Sequence, residues 1–409
     1  MRNSSSAIRI KLAGTEEMKK IAFVAPWYGE DIGGGAEAEL LDLAHHLKDA
    51  GVEPEILTTC VKDFRSDWNV NFHRPGLTEE AGIAVRRFPV RKRDTAAFDR
   101  VNARLMTGKP LSRDDEETYC REMVNSPKLY EWLRAQGDGY GLFVFIPYMF
   151  GTTYYGSMVH PEKTVLIPCL HDESYAYMNC FREAYSKVRG MVFNAEPERM
   201  LAEELYGVRG ETFRTFGIGM DTDWTAEPER FRQKYGISEP FILYAGRKDA
   251  GKRVDLLIRC FTEYRRRNPG NLKLVLIGGG QIAIPDRANI LDLGFVDRQD
   301  KYDAYGAAEL FCNPSEKESF SLVIMESWLA GRPVLVNGRC PVTRDFVRQA
   351  NGGLYFENYP EFEQCVRYLT GRPATAGQMG RNGRKYVTDH FGWDVITGKY
   401  LEYFRSLGV

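Results

Sequence analysis

Between Leu310 and Pro333 the chain reads LFCNPSEKESFSLVIMESWLAGRP, and that order of residue types admits few structures. Leu310-Phe311-Cys312 is a short apolar run of the kind that ends a strand buried on both faces. A turn-rich loop, Ser315 to Ser321, follows, and then apolar residues at helical spacing from Leu322 to Ala330. Gly331 stands where a helix end calls for a left-handed residue, and Pro333 stops any continuation. Strand, loop and helix in that order form the repeating unit of a parallel α/β sheet. The unit also has a chemical bias. Backbone N–H groups left free at the helix start, near Leu322 and Val323, together with the helix dipole, favour an anion such as a phosphate. Glu318 in the loop and Glu326 in the helix, with seven residues between them, can accept hydrogen bonds from sugar hydroxyls on either side of that anion. A plain helix cap, Ser315-x-x-Glu318, with a surface glutamate is the competing reading.

The same alternation runs through most of the chain. Lys20–Pro26 reads as a buried strand, Gly33-Gly34-Gly35 as a crossing loop, and the next segment as a helix with Leu40, Leu43, Ala44 and Leu47 on one face, ended by Gly51. Further strands are expected at 55–59, 141–147, 163–169, 190–194 and 211–216, with a helix at 196–206. Residues 60–140 are less patterned, with a strand at 85–90 and helical composition from 114 to 135. Beyond a polar, proline-bearing stretch up to Pro240, strands at 241–245, 272–277, 289–293, 333–336 and 352–356 alternate with helices at 253–267, 300–308, 342–349, 361–370, 374–389 and 393–404. The expected organisation is a loose extension at 1–18, a Rossmann-like unit at 19–216, a second at 217–388 and a final helix at 389–409 that crosses back to the first. The fold class is α/β, two Rossmann-like domains with parallel sheets facing across a cleft.

Composition removes several classes. With 55 Lys and Arg against 56 Asp and Glu, net charge −1, there is no bulk electrostatic case for nucleic acid. No run approaches the ~18 apolar residues of a membrane span. The eight cysteines form no C-x-x-C pair and are expected as reduced core residues of a cytoplasmic protein, with no secretory leader. A dinucleotide site after the first strand fails because the third glycine of G-x-G-x-x-G is missing and no acidic residue ends the second strand. Asp221-x-Asp223 invites a divalent cation, but no further ligands lie nearby, so turn formation is expected and no metal or other cofactor. Arg86, Arg87, Arg91, Lys92 and Arg93 form a basic run, expected as a solvated face, with peripheral contact at the inner face of a membrane as the alternative.

Pro314-Ser315-Glu316-Lys317-Glu318-Ser319-Phe320-Ser321-Leu322 resembles the P-S-x-x-E-G-F-G-L signature of retaining glycosyltransferases of the GT-B fold, family 4 (group 1), with serine in place of both glycines. Gly246-Arg247 followed by Lys252 is similar to that family's G-R-x4-K. The resemblance implies that Glu318 contacts the transferred sugar and Glu326 the ribose. It implies that Arg247 and Lys252 bind the donor diphosphate, where a fixed guanidinium and ammonium would stabilise the growing charge of the leaving group. The resemblance implies a donor site that further includes Gly34, Gly35, Gly246, Gly278, Phe295, Val296, Ser319, Phe320, Ser321, Leu322 and Val323, with the base held by main-chain groups near Phe295. His171, at the C-terminal end of a strand, is placed against the donor sugar, and Asp172 and Glu173 are weaker acceptor contacts. The catalytic set is thus His171, Glu318, Arg247 and Lys252.

The expected activity is metal-independent hexosyl transfer, with retention, from a UDP- or GDP-linked sugar to a hydroxyl of a glycan or lipid-linked acceptor, in bacterial polysaccharide or O-antigen assembly. A nucleotide-sugar epimerase of the same fold, and a nucleotide-sugar-binding protein without turnover, are the alternatives.

Overall fold

The computed structural model describes residues 20–409; the extension at 1–18 lies outside the described residues. Two sheets carry the chain. The first contains β1 (Ile21–Val24), β2 (Pro54–Thr59), β3 (Gly76–Glu80), β4 (Ile83–Phe88), β5 (Leu142–Phe145), β6 (Thr164–Leu166), β7 (Gly190–Phe193) and β8 (Phe213–Thr215), in the order β3-β4-β2-β1-β5-β6-β7-β8. The second contains β9 (Phe241–Ala245), β10 (Lys273–Ile277), β11 (Ile290–Gly294), β12 (Leu310–Asn313), β13 (Val334–Asn337) and β14 (Gly353–Phe356), in the order β11-β10-β9-β12-β13-β14. Strands β1, β5, β7, β9, β12 and β13 are buried along their whole length, which is why they read as largely apolar runs and not as alternating ones.

Both sheets are parallel apart from β3, which pairs antiparallel with β4 at the edge of the first. The parallel expectation therefore needs that correction. β3 is almost wholly exposed, so it lacks the apolar run by which the other strands are recognised. The helical stretch expected from 114 to 135 is two helices, Arg113–Glu122 and Pro127–Gln136, and an unexpected third, Thr95–Met106, precedes them. The break is local chemistry: Ser126 accepts from the Leu129 N–H and Pro127 begins the second helix, where a missing N–H costs nothing.

The basic run at 86–93 is mostly spent inside the molecule. Arg86 pairs with Glu55 at 2.9 Å and lies over the Trp132 ring; Arg87 is buried and pairs with Glu80. Arg91 pairs with Glu122 at 2.7 Å, and Arg93 covers Trp68 and Phe98, leaving Lys92 exposed. Neither the solvated face nor a lipid-facing patch describes these residues. Among the described residues no helix is long and apolar enough to cross a membrane.

Each sheet reverses direction at one place. Connections from β1 go to β2 on one side and β5 pairs on the other; β9 lies likewise between β10 and β12. At such a reversal the loops leaving adjacent strands diverge and open a crevice at the C-terminal strand ends. The Gly33–Gly35 loop follows β1, the Gly246–Lys252 loop follows β9, and the Asn313–Ser321 loop follows β12. The two sheets are joined twice. The Met220 N–H donates to the Phe391 carbonyl at 2.7 Å, and beyond Gly392 the helix Trp393–Ser406 returns to the first sheet. There the Trp393 ring stacks on His46 at 4.1 Å, and the Tyr403 hydroxyl donates to the Thr212 carbonyl at 2.7 Å.

The helix Leu322–Leu329 is fixed from behind by the helix Pro373–Phe391. Trp328 is fully buried, its indole N–H on the Gly352 carbonyl at 2.8 Å. Gly380 and Gly383 let the second helix approach: a Cβ on Gly380 would lie 1.9 Å from the Gly331 carbonyl oxygen, and one on Gly383 2.1 Å from Trp328 Cδ1. Gly380→Ala is therefore expected to destabilise the protein by about 1–3 kcal/mol, against the gain that alanine normally brings to a helix interior. A urea midpoint at or above that of the parent protein would contradict this packing.

Candidate functional site

The loop from Asn313 to Ser321 is built on one amide. Asn313 accepts from the Ser315 N–H at 3.1 Å and donates to Ser321 Oγ at 2.9 Å, drawing both ends of the loop together. Asn337 at the end of β13 donates to the Pro314 carbonyl at 2.9 Å. The helix begins at Leu322 with Ser321 as its flanking residue at φ +80°, in the left-handed region, and no side chain caps it. The Ser315-x-x-Glu318 cap is thus not formed: Ser315 Oγ accepts from the Lys317 N–H at 3.4 Å and donates to its carbonyl at 3.0 Å, inside the loop. Serine tolerates the left-handed position poorly, and its bond from Asn313 offsets part of that cost.

Glu318 meets Lys252 across the two loops, Nζ to carboxylate 2.8 Å, and lies 3.5 Å from Asn313 Nδ2. This joins two of the residues singled out in the sequence. Arg247 is not part of the pair; its side chain is more than half exposed and its nearest carboxylate is Asp249 at 3.6 Å. The loop bearing both cations is pinned at its base. Lys248 is buried and pairs with Asp292 at 2.5 Å, its N–H donates to Gly279 O at 2.8 Å, and Tyr244 donates to the Arg247 carbonyl at 2.6 Å. Gly278 packs so closely on Gly246 that a Cβ would lie 2.0 Å from the Gly246 carbonyl oxygen. Only glycine fits there.

Glu326 is nearly buried. Lys301 pairs with one carboxylate oxygen and the Tyr305 hydroxyl donates to the other at 3.0 Å. Lys301 and Tyr305 were not singled out in the sequence, because a lysine and a tyrosine in a polar helix give no signal of a partner in a different helix. Phe320 needs a correction. Its ring is buried against Phe346 and Phe391 at 5.3 and 5.0 Å, so its side chain belongs to the core and only its main chain borders the loop. Phe295 is the reverse: its ring is 87% exposed beside the C-terminal end of β11, with Val296 half-buried next to it. Asp221 does not form a turn through its side chain; it pairs with Arg298 at 2.6 Å. Among the described residues no group of three or more His, Cys, Asp or Glu side chains is arranged to hold a metal ion.

In the first sheet, Gly34 and Gly35 lead into the helix Gly35–Asp49, and a Cβ on Gly34 would strike the Glu37 carboxylate, which accepts from the Trp27 indole at 2.6 Å. His171 follows β6, its Nδ1 at 3.6 Å from Glu173, which also accepts from the Tyr148 hydroxyl at 2.9 Å. Asp172 accepts from Tyr177 at 2.8 Å. Beneath this turn lie two buried carboxyls absent from the sequence-based set, Glu39 and Glu198. Burial pushes each up to about 8, against hydrogen bonds that pull the other way: from Asn194 and Cys169 to Glu39, and from the Leu170 and Asn194 N–H groups to Glu198. Glu39 had a signal, since it lies four residues before Leu43 on the apolar face of its helix.

Residues 239–371 match the family described as Glycosyl transferases group 1. The fold is GT-B, and the matched residues span the whole of the second sheet. The chain is 26% identical over 241 residues to D-inositol 3-phosphate glycosyltransferase of Saccharomonospora viridis, a match covering 53% of this chain and 55% of that one. It thus spans about half the length of that curated relative. The enzyme of the same name from Kineococcus radiotolerans is 23% identical, covering 99% of this chain and 97% of the other. Among solved structures, Anabaena Alr3699/HepE in complex with UDP superimposes with a TM-score of 0.70 at 16% identity, over 95% of this chain and all of that one. The group 1 match contains Arg247, Lys252, Glu318 and Glu326, and the turn bearing His171 lies outside it.

The buried carboxyls make the stability pH-dependent with a definite sign. A Glu39 that titrates near 8 in the folded chain and near 4.5 when free holds a proton that the unfolded chain has released. Its contribution is fully present below about 4.5 and is lost as pH rises through about 8. Glu39→Gln keeps the shape without the charge and should gain on the parent protein by about 4 kcal/mol between pH 5 and pH 8.5. Chemical denaturation at the two pH values checks it; a constant difference between the proteins would exclude a neutral Glu39.

Proposed function

We propose that this chain is a retaining glycosyltransferase that moves a hexosyl group from a UDP- or GDP-linked sugar to a hydroxyl of a glycan or lipid-linked acceptor, without a metal ion. The observation that carries the reading is the Lys252–Glu318 pair, set between the β9 and β12 loops beside the free N-terminus of the Leu322–Leu329 helix. A diphosphate at that helix start would attract Lys252 and Arg247, and Glu318, released from the ammonium, would face the sugar hydroxyls. Glu326, four residues further into the helix than Leu322, takes the nucleoside side, where its spare lone pairs can accept from ribose while Lys301 and Tyr305 hold its orientation. The Alr3699/HepE structures with UDP and with UDP-glucose support a nucleotide-sugar donor for this fold. His171 would meet the transferred sugar from the first sheet. Polysaccharide or O-antigen assembly at the inner face of a membrane is the setting that fits such an acceptor.

Charge on the departing diphosphate must be met by protein groups if no metal takes part, and in this reading Arg247, Lys252 and the helix N-terminus meet it. Lys252→Ala and Arg247→Ala should each weaken UDP binding about tenfold to a hundredfold, the cost of one charge-assisted hydrogen bond, with unchanged melting behaviour. Calorimetry in excess EDTA measures it. Undiminished affinity in both variants would remove the site, and binding that requires added Mg²⁺ would remove the metal-free mechanism.

The two glutamates should separate kinetically. Ribose contacts change little as the glycosidic bond breaks, so Glu326→Gln is expected to raise the donor KM more than it lowers kcat. Contacts to the hexose strengthen as the ring gains oxocarbenium character, so Glu318→Gln should lower kcat at saturating donor. The opposite pattern in steady-state kinetics would reverse the orientation of the donor.

A further inference from the structure

The turn that presents His171 is held in an uncommon backbone conformation by the two buried carboxyls. Cys169 has φ +51°, in the left-handed region that a side chain other than glycine or asparagine seldom occupies. Every residue of the turn is fastened. Cys169 Sγ lies 3.6 Å from Glu39 Oε2, the Leu170 N–H donates to Glu198 Oε1 at 2.6 Å, and His171 Nδ1 faces Glu173. The second oxygen of Glu198 accepts from the Asn194 N–H at 2.6 Å, and the Asn194 side chain donates to Glu39 at 2.9 Å.

Glu198 occupies the third position of the helix Glu196–Tyr206, and a bond back to Asn194 alone would be an ordinary helix cap. The Leu170 N–H is different, because it belongs to a loop 28 residues earlier, at the end of another strand. One carboxyl therefore clamps the ends of β6 and β7 together under His171. Among the described residues, His171, Cys169, Glu39 and Tyr400 of the C-terminal helix are the titratable groups around it, and no Lys or Arg pairs with it. Strained turns of this kind persist where the surroundings over-determine them, and they concentrate at functional sites.

We propose that Glu198 is a positioning residue that acts through His171: by bridging the Leu170 and Asn194 N–H groups it fixes the left-handed turn at Cys169 and so the place of the imidazole at the sheet edge. This rests on the transferase reading, in which His171 meets the transferred sugar. The bridge uses a lone pair on each oxygen, which the carboxyl keeps whether or not it holds a proton. Glutamine supplies one acceptor and turns an amide N–H toward the other donor, so Glu198→Gln breaks one arm while preserving volume.

A double-mutant cycle distinguishes positioning from a general loss of structure. UDP release from UDP-glucose, with a panel of glycan and lipid-linked acceptors, is measured for the parent protein, Glu198→Gln, His171→Ala and the double variant. UDP affinity and melting temperature are measured alongside. Glu198→Gln and His171→Ala should each lower kcat by about 100-fold, the scale of an ångström misplacement, and the double variant should be no slower than His171→Ala alone. UDP affinity should stay within about twofold, because UDP is held by the other sheet. If Glu198→Gln fails to fold, Glu198→Asp, which keeps the carboxyl but is one methylene too short to bridge both N–H groups, should show the same non-additive loss. Additive losses, or full kcat in the folded Glu198→Gln or Glu198→Asp protein, would overturn the positioning role. An inert His171→Ala would overturn it as well while leaving the transferase reading in place, whereas unchanged UDP affinity in Lys252→Ala would strike that reading itself.

Discussion

The architecture rests on what a buried parallel strand can do with its backbone. Inside each sheet every N–H and C=O is committed to a neighbouring strand, so free donors and acceptors appear only where the strands stop. The direction of the loops then decides where those free groups collect. In the second sheet the chain leaves β9 and β12 in diverging directions, and the loops after them bring Lys252 and Glu318 to 2.8 Å from sequence positions far apart. The close approach of Gly278 to Gly246 and the buried Lys248–Asp292 pair hold the base of the cationic loop while its tip stays exposed. Rigidity at the base and exposure at the tip are what a site needs if it must present charge without moving.

Much of the second sheet was legible because β9, β12 and β13 are fully buried and its breakers stand at the ends. Leu322–Leu329 is short, yet Gly331 at φ +72° and Pro333 delimit it, and the two glutamates keep their helical and loop positions. Within the glycine run 278–280 the backbone is in close contact at Gly278 and at Gly280, where a Cβ would lie 2.9 Å from the Lys248 carbonyl oxygen. Phe320 was misjudged because a phenylalanine between two serines in a loop carries no mark of which way it turns. The core it enters is formed by Phe346 and Phe391, residues distant in sequence.

The first sheet was harder to read. β3 is exposed, and a basic run whose partners are Glu55, Glu80 and Glu122 cannot be told from a surface patch until the tertiary structure supplies those carboxylates. Lys301 and Tyr305 escaped for the same reason: their meaning lies in Glu326, across a helix–helix contact. Glu39 was visible in principle. A carboxylate on the apolar stripe of an otherwise regular amphipathic helix breaks the pattern, and buried ionisable groups that break a pattern often mark function. Glu198 offered no such mark, since an acidic residue in the first turn of a helix is what the dipole favours anyway.

The return of the Trp393–Ser406 helix has a mechanical meaning. The chain crosses between the two sheets at 216–220 and again at 391–393, and the Met220–Phe391 hydrogen bond ties the crossings side by side. A body joined to another by one strand can swivel about every axis, but two pinned strands leave a single soft rotation, about the line through both pins. Trp393 stacked on His46 and Tyr403 bonded to Thr212 anchor the far end of the second strap to the first sheet. Any rotation of one sheet against the other would be held to one arc by these straps, and the packing of the helix Pro341–Ala350 on the helix Glu196–Tyr206 would limit its reach.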